Sequence, residues 1–218
     1  MIIFMKVNFL ETNCYTGQQN MAMDEKMLTD AVSGGLKEAF IRFYEWSPKC
    51  ISLGKNQKEE YDAAGVDIVR RKTGGRALLH DNELTYCTVA PIGAGESVIQ
   101  TYKRVSDCLI AGFRELGIEA EYGFERGVAK GYCMTLSTGA DVVWRGKKLV
   151  GSAQYRTGEW FLQHGSILFD ADFELIEKIF GEKVDRNKIA TLNEINPLVG
   201  KDELIKALKN GFEYGFNL

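Results

Sequence analysis

Two glycines flanked by arginines, in the run RRKTGGRALLHDNELTYC from Arg70 to Cys87, are the residues of this chain best suited to hold a ligand. A glycine pair lets a turn take positive φ angles and lets a ligand approach the main chain, while neighbouring guanidiniums offer forked donors to an anionic group. The same residues also fit a hairpin corner with solvated arginines. A second candidate is Cys133, in the Gly- and Thr-rich stretch GYCMTLSTGAD, outside any periodic run. A loop of that kind can turn a side chain toward a cleft. Lys148 follows just beyond the turn at Arg145-Gly146. An ammonium folded back against the thiol would lower its pKa and favour the nucleophilic thiolate. The chain has two histidines, His80 and His164. A His-rich metal site is therefore excluded and no metal is expected, and a conventional Cys-His pair would have to use one of these two. Each is equally readable as a hydrogen-bonded structural histidine. No GxGxxG, Walker loop, HExxH or GxSxG occurs, so the common nucleotide, zinc-protease and serine-hydrolase readings have no local support.

The elements that must position these groups follow from periodicity and breakers. Residues 18–32 place Met23, Met27 and Ala31 at helical spacing beside Met21 and Leu28, with Gly34-Gly35 as a stop. The methionines read as an adaptable core stripe, with a pocket lining as the alternative. Aromatic and β-branched residues predict strands over 39–46, 50–53, 67–70 and 83–90, with 77–79 a short strand of its own, so that the Gly-Gly loop sits on a sheet. Residues 97–116 form a well-marked helix, with Ser97 as cap and Gly117 as stop. A meander of strands over 141–144, 148–155 and 160–169 follows, turning at Arg145-Gly146 and Thr157-Gly158, and helices over 173–180 and 202–212 close the chain. Residues 1–9 read as a first strand. Hairpins mixed with separate helices predict an α+β domain, a mixed or antiparallel β-sheet core flanked by helices, rather than a doubly wound βαβ fold.

Composition sets the outer bounds. A chain of 218 residues, 45% hydrophobic and 26% charged with three prolines and no low-complexity run, predicts a single domain over 1–218 without a separate accessory domain. The opening MIIFMKVNF is too short to span a membrane and lacks a basic flank and a cleavage site, so the expected location is cytoplasmic with no membrane partner. Five scattered cysteines without a CxxC pair suggest reduced thiols. Cys50 and Cys87 on strands, Cys108 in the long helix and Cys14 before the first helix read as buried small apolar side chains. A net charge of −3 argues against a nucleic-acid partner, while Arg70, Arg71, Lys72 and Arg76, and again Arg145, Lys147 and Lys148, gather positive charge where an acidic partner could dock.

Three blocks in order, RRKTGGRALLHDNELTY, GKKLVGSAQ from Gly146 to Gln154 and LQHGSIL from Leu162 to Leu168, together with NMAMDEKML, resemble the biotin and lipoyl protein ligase family. The resemblance covers most of the chain and implies the catalytic-domain fold of that family. It is greatest toward the LipM-type octanoyltransferase branch, because Cys133 precedes the second block where that branch carries its nucleophile and Lys148 holds the lysine position of the block. The chain departs from the family in having Met134 and TLSTG after the cysteine, where an aromatic and then a proline are common.

What the resemblance implies is a transfer of octanoyl from acyl carrier protein to a lysine of a lipoyl domain, or of the glycine cleavage H protein, through a Cys133 thioester. No cofactor is then required. Lys148 would favour the thiolate and later assist proton transfer from the incoming amine. Arg71, Thr73, Gly74, Gly75, Arg76, His80, Gly151, Ser152, Ala153, Gln154, His164 and Gly165 would line the substrate site. Amides of Gly74-Gly75 and of Gly151 to Gln154 are candidates for the oxyanion. The rival is an ATP-dependent lipoate-protein ligase, which would need ATP and Mg²⁺ and use the same lysine to hold an acyl-adenylate. A non-catalytic binding module is the third reading. The end of the chain soon after the last block favours the transferase over ligases with an accessory domain.

Overall fold

The computed structural model describes residues 5–35, 37–58, 61, 65–123, 134 and 139–217. Its framework is a large mixed sheet. Strands β1 (Val7–Phe9) and β2 (Asn13–Tyr15) both run parallel to β3 (Ala39–Trp46) along its outer edge. β7 (Glu83–Pro91), β11 (Trp160–Leu168), β10 (Lys147–Thr157), β9 (Val142–Trp144) and β8 (Glu121–Tyr122) then follow, each antiparallel to its neighbour. A second sheet of three strands has β4 (Cys50–Leu53) between parallel β5 (Asp67–Arg70) and antiparallel β6 (Leu78–His80).

The two faces of the large sheet are covered differently. One packs against α2 (Val98–Glu115) and α5 (Lys201–Gly215), burying Phe43, Tyr86, Leu109, Phe113, Phe161, Leu208 and Phe212. The other carries α1 (Gly17–Gly34), whose Met21, Met27, Leu28 and Ala31 pack on Tyr44, Trp46, Cys87 and Leu162. The small sheet continues that layer, and α3 (Phe173–Phe180) closes over it through Ile176 and Ile179. Strands β7 and β11 are buried along their whole length because both faces are covered, so their side chains do not alternate between core and solvent.

Local chemistry explains the boundaries. Thr16 and Ser97 each close a capping box with the glutamine three residues on, and Gly35, Gly117 and Gly181 take positive φ where helices stop. The expected strands and long helices are present within a few residues. The short elements β2, β8, a 3-10 turn at Arg186–Lys188 and α4 (Leu192–Ile195) carry too little periodicity to read from sequence. Of the expected first strand, only its end is a strand among the described residues.

Candidate active site

The site lies between the large sheet and the α1/small-sheet layer. Register places Gly151 of β10 opposite Ser166 of β11, Ser166 opposite Thr85 of β7, and Thr85 opposite Tyr44 of β3. The adjoining row is Ala153, His164, Cys87 and Arg42. Opposed residues of antiparallel strands share a face, so both rows look toward α1. Over them Met21, Ser52, Leu78, His80, Arg71 and Gly75 complete a cavity with Trp46 in its wall.

Each histidine is fixed between a hydroxyl and a carboxylate. His80 Nε2 is 2.7 Å from Ser52 Oγ, and Nδ1 is 2.8 Å from Glu83 Oε1. Its ring stacks on Trp46 at 3.9 Å between centroids, and the indole N–H of Trp46 donates to Thr85 Oγ1 at 2.7 Å. His164 Nε2 is 2.8 Å from Thr73 Oγ1 and Nδ1 is 3.1 Å from Asp24 Oδ2. Burial, partly opposed by Asp24, holds the His164 pKa below its ordinary value. The ring is therefore neutral near pH 7: Nδ1–H donates to the carboxylate and Nε2 accepts from Thr73.

Asp24 also accepts from Arg42 Nη1 at 2.7 Å and Tyr44 Oη at 2.9 Å. Asp24, Cys87 and His164 bring three potential ligand atoms within 4.8 Å of one another. With two other donors already on Asp24, and burial pushing the Cys87 thiol up, these residues form a hydrogen-bond network better than they fit a cation.

The bond-making end is at the start of β10. Lys148 is buried, and its Nζ donates to the buried carboxylate of Asp141 at 3.1 Å. A bulge between Lys148 and Val150 interrupts the ladder with β9, the kind of irregularity that re-aims a side chain beside a site. Gly151 has no room for more than hydrogen: a Cβ there would sit 2.5 Å from Met134 Sδ and 3.4 Å from Lys148 Cε. Gly165 is as tightly enclosed, with Gly151 O and Tyr86 Cε1 each 2.7 Å from such a Cβ. Cys133 lies outside the described residues, whereas its chain neighbour Met134 is fully buried.

The structure draws most of the sequence-selected residues together. Arg71, Gly75, His80, Gly151, Ser152, Ala153, His164 and Gly165 line the cavity. Thr73 meets it through His164, and the carbonyls of Gly74 and Arg76 accept from Arg71 Nη2 at 2.9 and 2.7 Å. Arg71 also donates to Ser52 O and Oγ. It is a buried brace of the Gly-Gly turn, not a solvated charge that steers a partner. Arg70 likewise donates to the carbonyls of Gly54 and Gln57. Gln154 instead turns to α2, bonding Thr101 Oγ1 and Gln163.

The second basic cluster is not a docking patch either. Lys148 is buried, Lys147 pairs with Glu194, and Arg145 stacks on Trp144. Cys50, Cys87 and Cys108 are buried as expected, and burial raises each thiol, that of Cys50 up to about 12. Cys14 differs from the expectation: it is exposed on the edge strand β2. Asp24, Ser52, Asp141 and Ser166 escaped the sequence reading. Only Asp24 had a visible signal, a charge set between Met21 and Met27 on the apolar stripe of a helix.

A sequence model described as the lipoyl protein ligase A/B catalytic domain matches residues 16–213. The chain belongs to that family. Octanoyltransferase LipM of Macrococcus caseolyticus is 35% identical over 95% of this chain and 84% of its own. Among solved structures, protein Ta0514 of T. acidophilum with bound lipoic acid is 22% identical with a TM-score of 0.81, covering 97% of this chain and 85% of its own. Lipoate-protein ligase A bound with ATP is 22% identical with a TM-score of 0.78, covering 98% and 85%. At that identity these two establish the fold, an α+β lipoyl-ligase domain. In this lipoyl protein ligase family member, no helix among the described residues is long and apolar enough to cross a membrane.

Proposed function

We propose that the protein is an octanoyltransferase that moves an octanoyl group from acyl carrier protein to a lysine of a lipoyl domain, such as the glycine cleavage H protein, through a thioester on Cys133. The observation that carries this reading is the seat of Met134. Its sulfur packs on the bare face of Gly151, against which the stem of Lys148 also lies. Met134 directly follows Cys133 in the sequence. The relationship to LipM octanoyltransferases over almost the whole chain supports the same assignment, as does the high pKa of the buried thiols of Cys50, Cys87 and Cys108, which leaves them protonated and unreactive.

The chemistry balances without ATP. The Lys148 ammonium, paired with Asp141, favours the Cys133 thiolate, which attacks the carrier thioester. The new C–S bond forms as the carrier thiolate departs, taking a proton from the Lys148 ammonium and leaving a neutral amine. The acceptor amine then attacks the acyl-enzyme, Lys148 takes the amine proton and is an ammonium again, and Cys133 leaves as the thiolate. Asp141 keeps the lysine nitrogen in place during both steps. The acyl chain occupies the cavity lined by Trp46, Tyr44, Leu78 and Met21. Backbone amides of Gly151 and its neighbours face the reacting carbonyl.

Incubation with octanoyl-acyl carrier protein in the absence of ATP tests this. An octanoyl adduct by intact mass that disappears in Cys133→Ser is expected. Modification of a lipoyl domain only with free acid and ATP would assign the ATP-dependent ligase reaction instead.

A further inference from the structure

Three strands bring a hydroxyl, an imidazole and a carboxylate into one line beside the cavity. Ser52 comes from β4 and His80 from β6, both in the small sheet, and Glu83 opens β7 of the large one. Register sets Cys50 opposite His80 and Ser52 opposite Leu78, so Ser52, Leu78 and His80 share one face of the small sheet. All three line the cavity. Ser52 Oγ is 2.7 Å from His80 Nε2, and His80 Nδ1 is 2.8 Å from Glu83 Oε1.

The direction of each hydrogen bond follows from what its members can donate. Arg71 Nη1 lies 3.0 Å from Ser52 Oγ, and a guanidinium only donates. The Ser52 proton therefore has His80 Nε2 as its acceptor among the described residues. Nδ1–H in turn donates to Glu83 Oε1, which also accepts from Thr85 Oγ1 at 2.5 Å and Ser166 Oγ at 2.8 Å. Stacking on Trp46 holds the plane of the ring. A base with one nitrogen on a hydroxyl and the other on a carboxylate is the arrangement that activates a serine, recognised by geometry whatever the order of its members along the chain.

We propose that Ser52, His80 and Glu83 form a second nucleophilic centre, which hydrolyses carboxylic esters of unbranched apolar acyl chains. Ser52 Oγ attacks the ester carbonyl, and its proton passes to His80 Nε2. The alcohol departs with that proton, and the acyl group stays on Ser52. Water then attacks the acyl carbonyl and gives a proton to His80, and the acid leaves as Ser52 regains that proton. Glu83 faces the imidazolium charge in both halves, and the Arg71 guanidinium lies beside the oxygen where negative charge gathers. Met21, Tyr44, Trp46 and Leu78 offer the acyl chain an apolar bed. The chemistry uses neither Cys133 nor Lys148, so it goes beyond the transferase reading and stands apart from it.

The other histidine has the same pattern without the access. Thr73 Oγ1, His164 and Asp24 are again ordered as hydroxyl, imidazole and carboxylate. Among the described residues lining the cavity, however, Ser52 is present and the fully buried Thr73 is not. Thr73 is expected to be inert.

An alkyl fluorophosphonate tests the assignment on the full chain, because it bonds to a serine oxygen activated in this way with loss of fluoride and a proton. Peptide mass analysis of the unaltered protein is expected to find the adduct on Ser52. No adduct, or an adduct on another residue such as Thr73, would overturn the proposal. Turnover is read with p-nitrophenyl octanoate on Cys133→Ala, which removes the proposed thiol nucleophile. Adding Ser52→Ala should lower that rate by about a hundredfold or more, the scale of losing an activated nucleophile and its base. Ester turnover that survives the loss of Ser52 would also overturn the proposal. Failure of Cys133 to take octanoyl from the carrier protein would count against the transferase reading alone.

Discussion

Gly151 is where the proposed chemistry depends on a missing side chain. A methyl group at this position would meet Met134 Sδ at 2.5 Å, and the sulfur would have to move. Met134 is the covalent neighbour of Cys133, so under the proposed mechanism its displacement is expected to disturb the nucleophile. Gly151→Ala is therefore expected to fold, with a stability loss of about 1–3 kcal/mol from overpacking. Acyl-enzyme formation followed by intact mass should slow by about tenfold or more, the scale set by misplaced reacting groups. Formation at the unaltered rate would show that Met134 does not position Cys133. The buried pair of Lys148 and Asp141 has a similar logic. Neither charge is tolerable in the interior alone, so the sequence has to supply both: Lys148 from β10 and Asp141 from the residue just before β9.

At the scale of elements, the site is held by the attachment of α1 and by the brace on the Gly-Gly turn. Helix α1 brings Asp24 to His164, and His164 holds Thr73 at the start of the turn. Arg71 then ties the turn to β4 through Ser52. The N-terminus of α1 is secured by the Thr16 capping box with Gln19. Thr16→Ala is expected to cost about 1 kcal/mol, read by urea unfolding, with the cavity network intact because the cap is about two turns away from Asp24. A loss within error of zero would mean that tertiary packing alone fixes that end of the helix.

The molecule as a whole should be sensitive to acid through His164. Its folded pKa is held below the ordinary 6.5 by burial, so below that pH the unfolded chain binds a proton that the native state refuses. Stability is then fully present above about 6.5 and falls as pH drops toward the folded value, by at most about 1.4 kcal/mol per pH unit for one proton. Urea unfolding at pH 7.5 and 5.5 should show this loss, and His164→Gln should reduce the slope; an identical slope would assign the acid sensitivity elsewhere. Much of this architecture was legible before the structure. Apolar spacing and glycine stops marked the long helices and the meander, because those signals are local and repeat every two or 3.6 residues. The motif glycines and both histidines marked the cavity, since the chemistry that needs bare backbone restricts residue type. The sequence by itself determined the element order, the family and the residues expected to react. Only the tertiary structure decided that Arg71 braces a turn instead of greeting a partner, and that Asp141 is the companion of Lys148. Those facts depend on which strands become neighbours, and strand pairing is set by contacts between residues far apart in the chain, about which local periodicity carries no information.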